Sequence, residues 1–153
     1  MAGQRVRRHL LQRQRVVQLT TSRGCPFTCE FCDIIELYGR VPRTKTTEQM
    51  LAELDALYAL GHVGNVLFVD DNLIGNKKAV KQFLPYLCEW QKRHGYPFTL
   101  STQASINLAD DEALLALMRE ANFTYVFIGI ETPDDDRSEE HTSELQSHSF
   151  ISY

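Results

Sequence analysis

The chain has 153 residues, 43% of them hydrophobic and 24% charged, a balance that permits one packed domain and argues against global disorder. The 16 Lys+Arg against 20 Asp+Glu give a formal net charge of −4, which argues against generic nucleic-acid or membrane-surface binding. Apolar runs such as Val66–Val69 and Tyr125–Ile128 are far too short to span a bilayer, and no apolar stretch follows the basic N-terminus as a signal peptide would require. No transmembrane segment and no nucleic-acid partner are expected, and a cytoplasmic location is.

Residues 1–15 carry Arg5, Arg7, Arg8, Arg13 and Arg15 with no acid, and read as a solvated basic segment or linker remnant. Val16–Thr21 is strand-like. A Gly/Pro/Cys-rich loop follows. Thr46 with Gln49 predicts a capping box. The helix it opens has Met50, Leu51, Leu54, Leu57 and Tyr58 on one face and stops at Gly61. Asn65–Asp70 holds a continuous apolar run, as a strand buried on both faces would. Asn76 predicts a second cap, for a helix with Val80, Phe83, Leu84, Leu87 and Cys88 inward, Pro85 as a kink and Gly95 at its end. Phe98–Thr102 is a third strand. Asp110 predicts the cap of a third helix, with Leu114, Leu115, Leu117 and Met118 inward. Thr124–Ile130 is a fourth strand. Strands alternating with helices predict an α/β fold with a parallel sheet, closed as a barrel or doubly wound.

The end of the chain has a different character. Residues 137–153 show no helical or strand periodicity. They resemble the translation of a common sequencing-adapter oligonucleotide, so a natural reading frame cut near Asp136 is expected and the tail is expected to be non-native, polar and disordered. His141 and His148 fall there and are not offered as ligands. The fourth strand is then expected to be an apolar edge prone to aggregation.

Polar residues end each strand. They are Arg23-Gly24-Cys25, then Asp70-Asp71-Asn72, then Ser101, Thr102 and Gln103, and finally Glu131 and Thr132. In parallel α/β folds the ligand binds at this edge. The chemistry centres on Cys25, Cys29 and Cys32, a C-x3-C-x2-C pattern on one loop. Three thiolates there suit one soft metal centre. Zinc in a structural site requires a fourth ligand, and Cys88 lies on an apolar stripe where a buried small hydrophobe is the better reading. A four-iron cubane with one iron left open fits three ligands better. Cys29 and Cys32 as a dithiol redox pair is the third option, and it leaves Cys25 unexplained.

The cysteine loop resembles that of the radical S-adenosylmethionine (SAM) superfamily, with Phe31 before the last Cys. The strings Ser22-Arg23-Gly24-Cys25-Pro26-Phe27, Cys29-Glu30-Phe31-Cys32-Asp33-Ile34, Val69-Asp70-Asp71-Asn72 and Gly129-Ile130-Glu131-Thr132-Pro133 are similar to its cobalamin-dependent branch, which includes hopanoid methylases. The likeness covers about residues 16–134.

That resemblance implies a radical SAM (β/α) barrel core over 16–136, of which about four strands and three helices are present. It implies a [4Fe-4S] cluster on Cys25, Cys29 and Cys32, and SAM. The SAM would be held by Phe31 at the adenine, by Asp70, Asp71 and Asn72 at the methionine ammonium, and by Glu131 and Thr132 at the ribose. Ser101 and Gln103 would lie at the same rim. It further implies reductive cleavage of SAM to a 5′-deoxyadenosyl radical, for hydrogen abstraction from, or methylation of, an unactivated carbon. No side chain of this chain is assigned as a catalytic acid or base. A small-molecule or lipid-like substrate and a reductant protein such as flavodoxin or ferredoxin are implied as partners. Cobalamin is implied only for a full-length parent, and the chain alone is expected to be inactive.

Several readings compete with a site. Asp70-Asp71-Asn72 can be a plain turn, and Glu131 a surface residue. Arg40, Arg43 and Lys45 read as a solvated loop rather than an anion-steering patch. His62, His94, Trp90 and Tyr96 read as structural.

Overall fold

The computed structural model of the chain describes residues 16–27, 29, 32–129 and 149–152. The strands are β1 (Val16–Leu19), β2 (Ser22–Arg23), β3 (Arg43–Thr44), β4 (Gly64–Phe68), β5 (Phe98–Ala104), β6 (Phe123–Ile128) and β7 (Ser149–Ser152). The helices are α1 (Ile34–Tyr38), α2 (Thr47–Ala59), α3 (Lys77–Arg93) and α4 (Glu112–Glu120).

The predicted capping box is present. Thr46 Oγ1 accepts from Gln49 N at 3.3 Å, and Gln49 Oε1 accepts from Thr46 N at 2.9 Å. This fixes where α2 begins and buries Met50, Leu54 and Leu57. α2 closes through His62 N→Leu57 O and Gly61 N→Tyr58 O, and α3 through Tyr96 N→Gln91 O and Gly95 N→Lys92 O. Asn76 caps α3, which runs unbroken with Pro85 inside it. The cap of α4 is Asp111 rather than the expected Asp110. The helix begins one residue later, and Asp111 Oδ1 accepts from Leu114 N while its other oxygen meets Lys81 Nζ at 2.7 Å.

β1, β4, β5 and β6 are parallel neighbours in chain order. The buried residues of α2, α3 and α4 form one core with Val66, Phe68, Phe98, Leu100 and Val126 of the strands. Helices on one face of a sheet whose strands follow chain order make the beginning of a (β/α) barrel, not a doubly wound sheet. The other face is only partly covered. β4 is therefore not buried on both sides: Val66 and Phe68 are sealed, while Leu67 is half-buried.

The tail departs from expectation. β7 pairs antiparallel with β6, with Phe127 opposite Phe150 and Val126 opposite Ile151. Residues 149–152 thus occupy the place that was expected to be an open edge. The intervening residues 137–148 lie outside the described ones.

Candidate metal and cofactor site

The cysteines follow a short ribbon that the sequence reading did not foresee, in which Ser22 and Arg23 pair with Thr44 and Arg43. Lys45 N donates to Thr21 O at 2.8 Å, and Cys25 N donates to Gly39 O at 3.3 Å, so the two ends of the loop are tied together. Gly24 makes this closure possible. Its φ is +100°, and a Cβ there would lie 2.9 Å from Gly39 O and 3.1 Å from Val41 O. Gly24→Ala is expected to cost about 1–2 kcal/mol or more, the penalty for a side chain in left-handed backbone plus that clash. Chemical denaturation measures it.

Cys25, Cys29 and Cys32 are each half-buried, and none of the four cysteines is in a disulfide. Cys32 N donates to Cys29 O at 3.2 Å, which closes a tight turn just before α1. Among the described residues, no three Cys, His, Asp or Glu side chains stand close enough together to form a ready-made metal cage. Burial pushes the Cys25 thiol up, and charge on Cys32 and Asp71 adds to this. Hydrogen bonds from Phe27 and Asn72 work in the opposite direction. Three thiols on one loop, with Cys25 disfavoured as a thiolate chiefly by its burial, fit a group that supplies positive charge to sulfur. Cys88 is elsewhere, buried with Sγ donating to Leu117 O at 3.4 Å, as a small core residue would be.

The exit of β4 supplies the acidic part of the site. The structure places Asp70 differently from its expected role as an open ligand to a cation. It is 1% exposed. Its Oδ1 accepts from Thr21 N at 2.7 Å and Ser22 N at 2.6 Å, and its Oδ2 accepts from Thr21 Oγ1. Burial pushes its carboxyl up, Asp71 adds to this, and the three donors oppose it. Asp70 fastens the exit of β1, and so the root of the cysteine loop, to the neighbouring strand. Asp71 is half-buried, with Oδ2 accepting from Gly24 N at 3.4 Å. It is the acid of the pair that faces the cysteine segment. Asn72 is buried, and its side chain donates to Ser105 Oγ at 3.0 Å and accepts from Ser105 N at 3.3 Å. Gly75, two residues into the 3-10 turn Leu73–Asn76, has room for no side chain without crowding Pro26, since a Cβ would lie 3.1 Å from its Cδ. The two strand exits therefore pack directly on each other.

The third strand end is shifted. β5 runs to Ala104, so Ser101 and Thr102 lie within the strand, opposite Tyr125 and Val126. Thr102 is sealed in the core and its hydroxyl donates to Phe68 O at 3.3 Å. Ser101 and Gln103 lie on the helix-free face with Leu67, Tyr125 and Phe127, and the residue at the rim is Ser105. Phe31, Glu131 and Thr132 lie outside the described residues.

Sequence reasoning missed Thr21, Ser22 and Ser105. A Thr-Ser pair at one strand exit and an Asp-Asp-Asn at the next was the available signal, because small donors opposite a carboxylate suit mutual anchoring. Other basic and aromatic groups are engaged within the scaffold, the basic loop more than a purely solvated one would be. Lys45 pairs with Glu53 at 2.7 Å, Arg43 donates to Tyr38 O at 3.2 Å, and the Arg23 guanidinium lies 5.2 Å from the Tyr38 ring centre. Trp90 donates to Asp55 at 2.7 Å and stacks on His94, while His62 stacks on Phe98.

A parallel, barrel-type sheet with a three-cysteine loop at its carboxyl edge defines an α/β protein of the partial (β/α) barrel class. The chain belongs to the radical SAM superfamily, whose sequence model matches residues 19–148. It is therefore a member of an enzyme family that generally uses a [4Fe-4S] cluster and SAM. The chain is 58% identical over 126 residues to an uncharacterized methyltransferase of Synechocystis, covering 82% of this chain and 23% of that protein. It is 56% identical over 113 residues to the hopanoid C-2 methylase of Rhodopseudomonas palustris, covering 74% and 21% respectively. At 29% identity over 119 residues it is similar to an anaerobic magnesium-protoporphyrin IX monomethyl ester cyclase of Rubrivivax gelatinosus, covering 77% and 20%. The chain thus spans less than a quarter of the length of these relatives. Among the described residues no helix is long and apolar enough to cross a membrane.

Proposed function

We propose that residues 16–136 are part of a radical SAM core in which Cys25, Cys29 and Cys32 hold a [4Fe-4S] cluster and the neighbouring strand ends hold SAM. The observation that carries this reading is the docking of the cysteine loop on the exit of β4, with Asp71 beside Gly24 and Pro26 against Gly75. Bound there, the cluster and SAM would supply reductive radical chemistry able to act at an unactivated carbon.

The protein's own contribution is placement. Asp70 secures the loop, and Asp71 offers the carboxylate oxygen that suits the ammonium of SAM. Phe31 serves the adenine, and Glu131 with Thr132 the ribose. The helix-free face, with Leu67, Ser101, Gln103, Tyr125 and Phe127, offers mixed apolar and hydrogen-bonding surface to a small or lipid-like substrate. The methylase and methyltransferase names of the similar proteins favour carbon methylation as the outcome. Cobalamin would enter only in a full-length parent, and a flavodoxin- or ferredoxin-type protein would supply the electron. In that parent, Asp71→Ala is expected to weaken SAM binding about tenfold or more with normal iron content, since a charge-assisted hydrogen bond contributes about 1.5–3 kcal/mol. Equilibrium binding of SAM to the reconstituted protein tests this. An unchanged affinity would return Asp71 to a turn role.

A further inference from the structure

The ribbon beside the cysteine loop carries charge that the scaffold positions without neutralising. Arg23 of β2 stands directly opposite Arg43 of β3, and both are exposed. Like charges facing each other across an antiparallel pair are destabilising. Both arginines converge on Tyr38 at the end of α1. The Arg23 guanidinium lies 5.2 Å from its ring centre, and Arg43 Nη2 donates to its carbonyl at 3.2 Å. A ring face and a carbonyl hold the two guanidiniums in place but leave their positive charge uncompensated. Arg40, exposed on the loop between Tyr38 and Arg43, adds a third. None of the three is in an ion pair among the described residues, whereas Lys45 is taken by Glu53. The acids of the segment, Asp33 and Glu36, belong to the amino end of α1. Leu37 and Val41, on the same short stretch as Arg40, are 69% and 76% exposed.

We propose that Arg23, Arg40 and Arg43, with Leu37 and Val41, form a docking surface for an acidic protein. Guanidinium forks match surface carboxylates in paired N–H···O bonds. Arginines around exposed apolar side chains are the composition of a protein-binding patch. The chain as a whole carries −4, so the patch runs against the net charge and steers an acidic partner to one place. A nucleic acid would be repelled by the net charge of the chain, and its phosphates have no use for Leu37 and Val41. Cys25 N donates to Gly39 O at 3.3 Å, so a protein seated on this loop sits beside the cysteine segment. That position favours a protein that supplies electrons. This identity of the occupant rests on the cluster reading, while the surface rests on its own geometry.

The test is equilibrium binding of the full chain to purified flavodoxin, an acidic one-electron carrier, at low and at high salt. The expected result is binding that salt weakens, and that Arg40→Glu and Arg23→Glu each weaken about tenfold or more. Lys78→Glu makes the same change in net charge at an exposed position on α3 and is expected to bind as the unmodified chain does. Leu37→Ser is expected to weaken binding and to leave its salt dependence unchanged. Arg23→Glu carries a second readout, because it places opposite charges across the ribbon. Its denaturation midpoint is expected to equal or exceed that of the unmodified chain while its binding falls, which a purely structural role for the arginine would not produce. If Arg23→Glu does not fold, Arg40→Glu against Lys78→Glu decides. No binding to flavodoxin, or an equal loss in Lys78→Glu, overturns the surface. So does binding that disappears only when residues 1–15 are removed, or Arg40-dependent binding of a single-stranded oligonucleotide in place of flavodoxin. Iron plays no part in this readout, so such a failure leaves the cluster reading standing. A chain that takes up no iron on anaerobic reconstitution yet binds flavodoxin through Arg40 keeps the surface and overturns the cluster reading.

Discussion

Replacing Cys25, Cys29 or Cys32 singly by Ala is expected to abolish iron–sulfur cluster assembly on this chain, while Cys88→Ala leaves it intact. The three cysteines are the thiols on the loop at the carboxyl edge of the sheet, and a cubane held by two thiolates is labile. Cys88 is 4% exposed and packed on α4, with its sulfur on Leu117 O. Its loss removes one small buried group and costs on the order of 1 kcal/mol. Iron and acid-labile sulfide analysis after anaerobic reconstitution checks both halves. Loss of iron in Cys88→Ala, or full iron in any of the other three variants, would show that the ligands are assigned wrongly.

Asp70→Ala is expected to destabilise the fold by several kcal/mol, the largest effect of any single substitution outside the apolar core. The side chain is 1% exposed and serves three donors: Thr21 N, Ser22 N and Thr21 Oγ1. Each donor left unsatisfied in a buried place costs about 1–3 kcal/mol. Asp70→Asn is expected to cost much less. Its Oδ1 still accepts from both backbone N–H groups, its NH2 donates to the Thr21 hydroxyl, and no charge is buried. The ordering follows from burial, which pushes the Asp70 carboxyl up and so already disfavours the charged form. Denaturant unfolding of the two variants checks it. Equal losses in both would mean that the negative charge itself, and not the hydrogen-bond geometry, holds the strand exits together.

Much of the architecture was legible because periodicity and caps report local physics. The Thr46–Gln49 box, the Asn76 cap and the inward stripe Val80, Phe83, Leu84, Leu87 and Cys88 all stand where the sequence puts them. Strand ends were less legible. Phe98–Ala104 outruns Thr102 because Gln103 and Ala104 find ladder partners in Phe127 and Ile128, and pairing of that kind is a tertiary fact. That shift moved the rim from Ser101–Gln103 to Ser105. The role of Asp70 was hidden for a related reason. Its partners lie 49 and 48 residues away, at Thr21 and Ser22, and no local pattern distinguishes an acid that braces the backbone from one that waits for a ligand. The β2–β3 ribbon consists of two-residue strands, too short for any periodicity to show. β7 escaped because Ser149–Ser152 shows no apolar alternation and is held by backbone pairing with β6.

The most direct test of the central claim is metal analysis of the unmodified chain after parallel anaerobic incubation with iron plus sulfide and with zinc. The cysteine loop is predicted to yield a brown protein with about four irons and about four sulfides per chain. Retention of one zinc, with no iron taken up and no colour, would contradict it and make the loop a structural zinc site or a thiol pair.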